Sequence, residues 1–287
     1  MNDGIRKVAV LGAGTMGHGI AQVAAMAGHA VSLLDTEAER VAHALDRIRR
    51  NLDEGVARGK VEAGLVAATL DRIGAGTDFA AALEGADLVI EAVPERLDLK
   101  AAVLRDAERL APGHAILASN TSSLSITELQ HALAAPERVV GLHFFNPVHV
   151  MRLVEVVRGR STAPEVVDAV VDFAVRIGKD PITVNDSPGF ASSRLGVALG
   201  LEAMRMLEEG VASAADIDKA MELGYRHPMG PLRLTDLVGL DVRLDIARYL
   251  HEALGDERFR PPAILERLVA EGKLGKKTGQ GFYSWEE

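Results

Sequence analysis

Lys7-Val8-Ala9-Val10-Leu11-Gly12-Ala13-Gly14-Thr15-Met16-Gly17 is the stretch whose reading decides the fold of this chain. A short apolar β run enters a glycine-rich turn and passes directly into a helical stretch. A second apolar run, Ala30-Val31-Ser32-Leu33-Leu34, ends at Asp35. Each part has its own physical task. Gly12 permits the tight turn at the strand end, Gly14 lets the backbone approach a pyrophosphate, and Gly17 lets the helix lie against the sheet. Ala13, Thr15 and Met16 complete the loop, and the helix that follows aims the N–H groups of its first turn at the phosphates. Asp35, at the tip of the next strand, can accept hydrogen bonds from a ribose diol. A carboxylate there repels the 2′-phosphate of NADP, and Thr36 and Glu37 supply no compensating cation. The cofactor reads as NAD(H) rather than NADP(H), with FAD a third option.

The pattern around this unit is that of an α/β protein with a Rossmann-type doubly wound sheet. Strands are expected at 7–11, 30–34, 87–92, 115–118, 138–143, 152–158 and 181–184, and helices at 15–28, 37–59, 96–110 and 164–177. The stretch 37–59 is long for a crossover helix, which suggests that it projects from the sheet. At Asn185-Asp186-Ser187-Pro188-Gly189 the strand signals end. Helical patterning then dominates 190–209, 213–223, 240–254 and 262–271, punctuated by Gly210, Gly224, Pro228, Gly230-Pro231 and Pro261-Pro262. This divides the chain into a sheet domain, 1–185, and an all-helical C-terminal domain, 186–287.

Composition narrows the function classes. The 287 residues suit one large domain or two smaller ones, and with 48% hydrophobic but only 4% aromatic residues the core must be built from Ala, Val, Leu and Ile. A net charge of −9 argues against a nucleic-acid or membrane-surface binder, although a local basic patch can still hold a phosphate. The absence of cysteine excludes disulfides, thiolate metal sites and a cysteine nucleophile, and it fits a cytoplasmic protein. No metal site is expected. The polar first residues lead straight into a strand, so no signal peptide is expected, and no apolar run reaches the length of a membrane span.

A second constellation carries the chemistry. Ser119-Asn120-Thr121-Ser122-Ser123 follows the apolar run Ala115-Ile116-Leu117-Ala118, which puts it at a carboxyl end of the sheet, where ligands bind in open α/β folds. His143 closes another apolar run and should reach the same crevice. Glu155 lies on the next strand, beyond a Pro-containing loop. If that loop reverses the chain, Glu155 stands beside His143, fixes one imidazole nitrogen and leaves the other for proton transfer. Alcohol oxidation needs a hydride acceptor and a proton acceptor; the glycine loop implies the first and these residues the second.

These blocks resemble the 3-hydroxyacyl-CoA dehydrogenase family, including its 3-hydroxybutyryl-CoA dehydrogenases. The resemblance runs through Gly12–Gly17, Ser119–Ser123, His143–Pro147, Ser187-Pro188-Gly189-Phe190, His227-Pro228-Met229-Gly230-Pro231 and the tail from Gly275 to Tyr283. It implies an NAD-binding N-terminal domain, a helical C-terminal domain that dimerises, an active site in the cleft between them, and a place in fatty-acid β-oxidation. His143 matches the family's catalytic base and Glu155 the acid that orients it. Ser122 matches the residue bonded to the substrate's 3-oxygen, and Asn120 falls where the family contacts both nicotinamide and substrate. Asp35, Glu95, Lys100 and Lys277 match NAD-contact positions, and Asn146 falls among the substrate-binding positions. One departure stands out. The family usually has Asn four residues after the Gly of its Pro-Gly-Phe block; here that place is Ser193, which keeps a hydroxyl but loses the amide. Arg47, Arg50 and Arg58 can bind the CoA phosphates or form a solvated helix face, since Asp46, Asp53 and Glu54 are interspersed.

The expected reaction is NAD-dependent interconversion of 3-hydroxyacyl-CoA and 3-oxoacyl-CoA by a homodimer. Its C-terminal helices carry Leu195, Val197, Leu199, Leu201, Met204 and Leu207 as candidates for the subunit contact. Two rivals stay open: the same fold acting on a free 3-hydroxy acid or sugar acid, and a non-catalytic NAD-binding structural protein. Dependence on the CoA handle separates the first, and NADH oxidation with acetoacetyl-CoA the second.

Overall fold

The computed structural model describes residues 4–285 and pairs eight strands into one sheet. They are β1 (Lys7–Leu11), β2 (Ala30–Leu34), β3 (Ile73–Gly76), β4 (Leu88–Glu91), β5 (Ile116–Ser119), β6 (Val139–Phe144), β7 (Leu153–Arg158) and β8 (Asp180–Asn185). Their order is β3-β2-β1-β4-β5-β6-β7-β8, and every neighbouring pair is parallel except β6 with β7. The order reverses direction between β1 and β4, the switch point at which a doubly wound sheet opens a crevice beyond its carboxyl ends. Because β1, β4, β5 and β6 are parallel, their carboxyl ends share that edge. The sequence reading lacked β3. Ile-Gly-Ala-Gly has no alternation and two glycines, and only the backbone pairing with β2 makes it a strand.

The helices of this unit are α1 (Gly17–Met26), α2 (Ala38–Ala57), α3 (Ala63–Asp71), α4 (Phe79–Leu83), α5 (Leu97–Leu110), α6 (Ile126–Gln130) and α7 (Pro164–Arg176). The core joins fully buried strand residues, among them Val8, Val10, Leu88, Ile90 and Leu142, to Ile20 and Ala24 of α1. Each buried aliphatic side chain of this size contributes about 1.5–3 kcal/mol. The expectation that 37–59 projects from the sheet is corrected. Val41, Ala44, Ile48 and Leu52 recur at helical spacing and all enter this core, so α2 lies against the unit and exposes a mostly polar face.

By the density of internal packing the chain separates into Met1–Ser187 and Pro188–Glu287. The second unit is helical: α8 (Ser192–Glu208), α9 (Ala214–Gly224), α10 (Pro231–Val238), α11 (Leu240–Leu254) and α12 (Ala263–Ala270). Its core takes Val197, Leu201 and Met204 from α8 and Leu232, Leu244, Leu250 and Leu265 from the others. Those three α8 residues are therefore spent on their own unit, whereas Leu195 is 71% exposed. The tail is fastened by a buried acid. Asp236 accepts hydrogen bonds from the N–H of Phe282 and Tyr283 (both 2.9 Å) and from the Trp285 indole (2.8 Å). Among the described residues no helix is long and apolar enough to cross a membrane.

Candidate active site

The turn after β1 is dictated by two glycines and leaves a third with no demand from the protein. Gly12 has φ +107, and a Cβ there would lie 2.8 Å from Ala92 O; a Cβ on Gly17 would lie 1.7 Å from Gly12 O. The fold requires both. A Cβ on Gly14 would meet nothing within 4 Å. Bare backbone facing open space is what a closely approaching pyrophosphate needs. Thr15 is likewise exposed, and Met16 stands at the N-cap of α1 without a side-chain cap, with no acid in the first turn. The positive end of the helix is thus uncompensated by the protein's own side chains. Ala13 N donates to Asp35 Oδ2 at 2.9 Å, which ties the loop to the end of β2. Among the described residues Asp35 Oδ1 makes only two long contacts, from Thr36 Oγ1 and Glu37 N, both at 3.4 Å.

At the carboxyl end of β5, Asn120 Oδ1 accepts from Phe144 N at 2.9 Å, linking β5 to the end of β6. The next residues gather on Glu95. Its Oε1 accepts from Thr121 Oγ1 at 2.6 Å, Ser122 N at 2.9 Å and Ser122 Oγ at 3.2 Å. Behind it Lys100 is almost wholly buried in α5. Its Nζ donates to both oxygens of Glu91 at 3.0 Å and to Val93 O at 3.2 Å, and lies 3.3 Å from Glu95 Oε2. The Ser119 hydroxyl also donates to Glu91. Burial raises the Glu91 carboxyl above its ordinary range, against the pull of Lys100 and Ser119. Burial also pushes Glu95 upward, but the Lys100 ammonium and the bonds from Thr121 and Ser122 outweigh it and hold that carboxyl below its ordinary value. Sequence reasoning passed over Glu91 and quoted Ser119 and Thr121 only within their block, without a role for either. The available signal was an acid closing the apolar run Leu88-Val89-Ile90 inside a strand buried along its whole length.

His143 and Glu155 are direct cross-strand partners in the antiparallel pair β6–β7, so their side chains emerge on the same face. His143 Nδ1 lies 2.7 Å from Glu155 Oε2; the histidine is 6% exposed and the acid 0%. The Phe145 ring packs on the imidazole with centroids 4.4 Å apart. The chain reversal on which this juxtaposition depended is present.

The remaining candidates are scattered. Asn146 is exposed in the β6–β7 connection, and Arg58 is exposed at the end of α2, where it pairs with Glu54 at 3.3 Å. Ser193 and Lys277 belong to the second unit. Ser193 lies in the first turn of α8, and the Lys277 ammonium bonds both oxygens of Asp241 at 2.6 and 2.5 Å. Lys100, expected at a cofactor contact, is turned inward onto Glu91, with Glu95 between it and the surface. Among the described residues no three His, Cys, Asp or Glu side chains are grouped to hold a metal.

Comparison with known proteins agrees with this arrangement. The family description "3-hydroxyacyl-CoA dehydrogenase, NAD binding domain" matches residues 7–187, and "3-hydroxyacyl-CoA dehydrogenase, C-terminal domain" matches 189–285. A Bacillus subtilis protein named probable 3-hydroxybutyryl-CoA dehydrogenase is 44% identical over 99% of this chain and 98% of its own length. The human mitochondrial hydroxyacyl-coenzyme A dehydrogenase is 43% identical over 98% of this chain and 91% of its own length. The crystal structure of the (S)-3-hydroxybutyryl-CoA dehydrogenase of Ralstonia eutropha superposes with a TM-score of 0.95 at 40% identity, covering 99% of this chain and 100% of that one. A Rossmann-type sheet with an uncapped glycine turn, a buried His–Glu pair and a helical second unit, matched along both halves, places the chain in the 3-hydroxyacyl-CoA dehydrogenase family.

Proposed function

We propose that this chain is an NAD-dependent dehydrogenase that interconverts 3-hydroxyacyl-CoA and 3-oxoacyl-CoA, with His143 as its general base. The observation that carries the reading is the His143–Glu155 pair, buried at the end of β6 on the edge where β1 presents the cofactor turn. An ionised carboxylate only accepts hydrogen bonds, so Glu155 holds the proton of that bond on Nδ1 and assigns proton exchange to Nε2. As the 3-hydroxyl is oxidised, Nε2 takes its proton, and the carboxylate stabilises the imidazolium that forms. In reduction the same nitrogen returns the proton to the developing alkoxide. The Ser122 hydroxyl turns from Glu95 to donate to that oxygen, while the Ser122 N–H bond to Glu95 keeps the residue in place. Asn120, fixed by its bond to Phe144, lies at the border of cofactor and substrate.

NAD bound over the turn supplies the hydride acceptor. Gly12, Ala13, Gly14, Thr15, Met16 and Gly17 cradle the pyrophosphate, and Asp35 takes the adenosine ribose diol. Glu95 and Lys277 make the further contacts, and Lys100 acts on the cofactor by holding Glu95. Asn146, Ser193 and Arg58 serve the acyl-CoA, Arg58 through its phosphates. The unit 1–185 is the NAD-binding domain, and 186–287 serves substrate binding and dimerisation. NADH oxidation with acetoacetyl-CoA tests the whole reading. Turnover that is equally fast with free acetoacetate, or none with either, would overturn it.

Asp35 sets the cofactor preference. Asp35→Ala should narrow the gap in kcat/KM between NADH and NADPH, because the charge that repels a 2′-phosphate is gone. A wild-type protein with equal affinity for the two nucleotides would contradict this assignment. The enzyme is read as a cytoplasmic homodimer that serves fatty-acid oxidation. Leu195, Leu234, Leu237, Val238 and Val242 are all exposed on the helical unit and form the apolar material for a subunit contact. Light scattering at micromolar concentration should report twice the chain mass of 30.5 kDa; a monomer would refute the dimer.

A further inference from the structure

The glycine turn is held on one side by Asp35, which accepts from Ala13 N, and on the other by a side chain of its own helix. His18, the second residue of α1, is only 5% exposed, and its Nδ1 lies 2.9 Å from Gly14 O. A carbonyl only accepts, so this bond places the ring proton on Nδ1 and leaves Nε2 as an acceptor. Burial pushes the imidazole below the ordinary histidine pKa against the bond to Gly14, and nearby Arg47 and His149 push the same way as burial. The ring is therefore neutral at pH 7. Gly14 O has a second partner, the N–H of His18, but at 3.3 Å that bond is longer than the ordinary range of about 2.7–3.2 Å. The imidazole is the tighter of the two holds on this carbonyl.

The direction of this carbonyl decides the direction of an N–H. The Gly14–Thr15 peptide is trans and planar, so Thr15 N–H points opposite to Gly14 O. With the oxygen drawn back onto α1, that N–H is aimed out of the start of the helix, the direction from which an anion approaches. Among the described residues the N–H groups of Gly14, Thr15 and Met16 have no partner. Packing does not oppose rotation of the peptide on its Gly14 side. Gly14 is exposed, a Cβ there would meet nothing within 4 Å, and glycine adopts backbone conformations that other residues avoid. A flipped peptide would turn a carbonyl oxygen toward the phosphates in place of an N–H. The histidine side chain is what stands against that flip.

We infer that His18 is a positioning residue for the cofactor: its imidazole locks the Gly14–Thr15 peptide so that the turn meets the pyrophosphate with N–H groups. This rests on the reading of the turn as the NAD site. His18 touches neither substrate nor cofactor and takes part in no covalent step. It acts through the Gly14 carbonyl alone, and its effect is confined to ligands that carry the pyrophosphate.

The test measures NADH affinity by fluorescence titration, with competition by ADP-ribose, which carries the pyrophosphate, and by adenosine, which lacks it. His18→Leu keeps most of the bulk and removes the donor, whereas His18→Asn sets an amide N–H at the same place along the side chain as Nδ1. In His18→Leu the dissociation constants of NADH and ADP-ribose should rise about 3- to 10-fold, the worth of one hydrogen bond, and that of adenosine by less than about twofold. His18→Asn should recover most of the loss, and kcat at saturating NADH should stay near the wild-type value in both variants. Unchanged NADH affinity in His18→Leu overturns the proposal and leaves the dehydrogenase reading standing. An equal loss for adenosine overturns it too, because the damage would then reach beyond the pyrophosphate. A wild-type protein that binds neither NADH nor ADP-ribose overturns the cofactor reading itself. Should His18→Leu fail to fold, NMR of the isotope-labelled imidazole in the wild-type protein decides: the neutral form protonated on Nδ1 is expected, and the form protonated on Nε2 sinks the proposal.

Discussion

His143→Gln is expected to lower turnover by about 100- to 10,000-fold, the usual cost of removing one positioned general base. NADH affinity should hardly change, because the cofactor turn belongs to β1 and α1 and shares no hydrogen bond with the histidine. Fluorescence titration of NADH alongside steady-state kinetics separates the two effects. Glu155→Gln keeps the side-chain volume but removes the charge that supports imidazolium, so a smaller loss of rate is expected. Near-normal kcat in His143→Gln with a good acyl-CoA substrate would mean that the base is elsewhere.

Lys100→Met should be the most destabilising of the single substitutions considered. It leaves Glu91 buried with its carboxylate opposed only by hydrogen bonds, a situation that costs about 3–5 kcal/mol when one partner of a buried pair is removed. The loss should depend on pH. Glu91 already has a raised pKa, and a raised acid contributes its stability below the ordinary carboxylate value of about 4.3, losing it as pH climbs through the folded value. Glu95 has a lowered pKa, so its contribution is present above that ordinary value and lost as pH falls through the folded one; Lys100 is the main support for that lowering. Both effects make the penalty of Lys100→Met largest near neutrality and smaller toward about pH 4. Urea unfolding at several pH values measures this, and adding Glu91→Gln should recover part of the loss. A penalty that is flat with pH would point to lost packing instead of an orphaned charge.

Much of this molecule could be read from its sequence because backbone period and local chemistry agreed. β1 and β2 lie at the residues expected, since each is an apolar run closed by a glycine turn or an acid. The His143–Glu155 contact was also within reach, because two strands joined by a short Pro-containing loop pair antiparallel. Other parts depended on tertiary partners. β3 is a strand only because β2 offers its backbone. α10 begins at Pro231, which reads as a break in sequence yet is well suited to the first turn of a helix. Glu91 drew no attention inside the expected strand 87–92; what makes it important is Lys100 reaching back from α5, a contact no periodicity encodes.

The antiparallel pairing of β6 with β7 has an evolutionary reading. The acid–base couple is wired through ladder register, His143 opposite Glu155, and not through the connection that joins the two strands. The exposed stretch 150–152 can therefore be lengthened or rewritten without rebuilding the proton chemistry, whereas Phe145 on the imidazole and Val148 in the core are held. The opposite holds one step inside the ladder. A single residue inserted between Leu153 and Glu155 would turn the carboxylate to the other face of the sheet and silence the couple in one event. Variation tolerated in the connection and forbidden in the strand is thus the inheritance pattern this hairpin imposes.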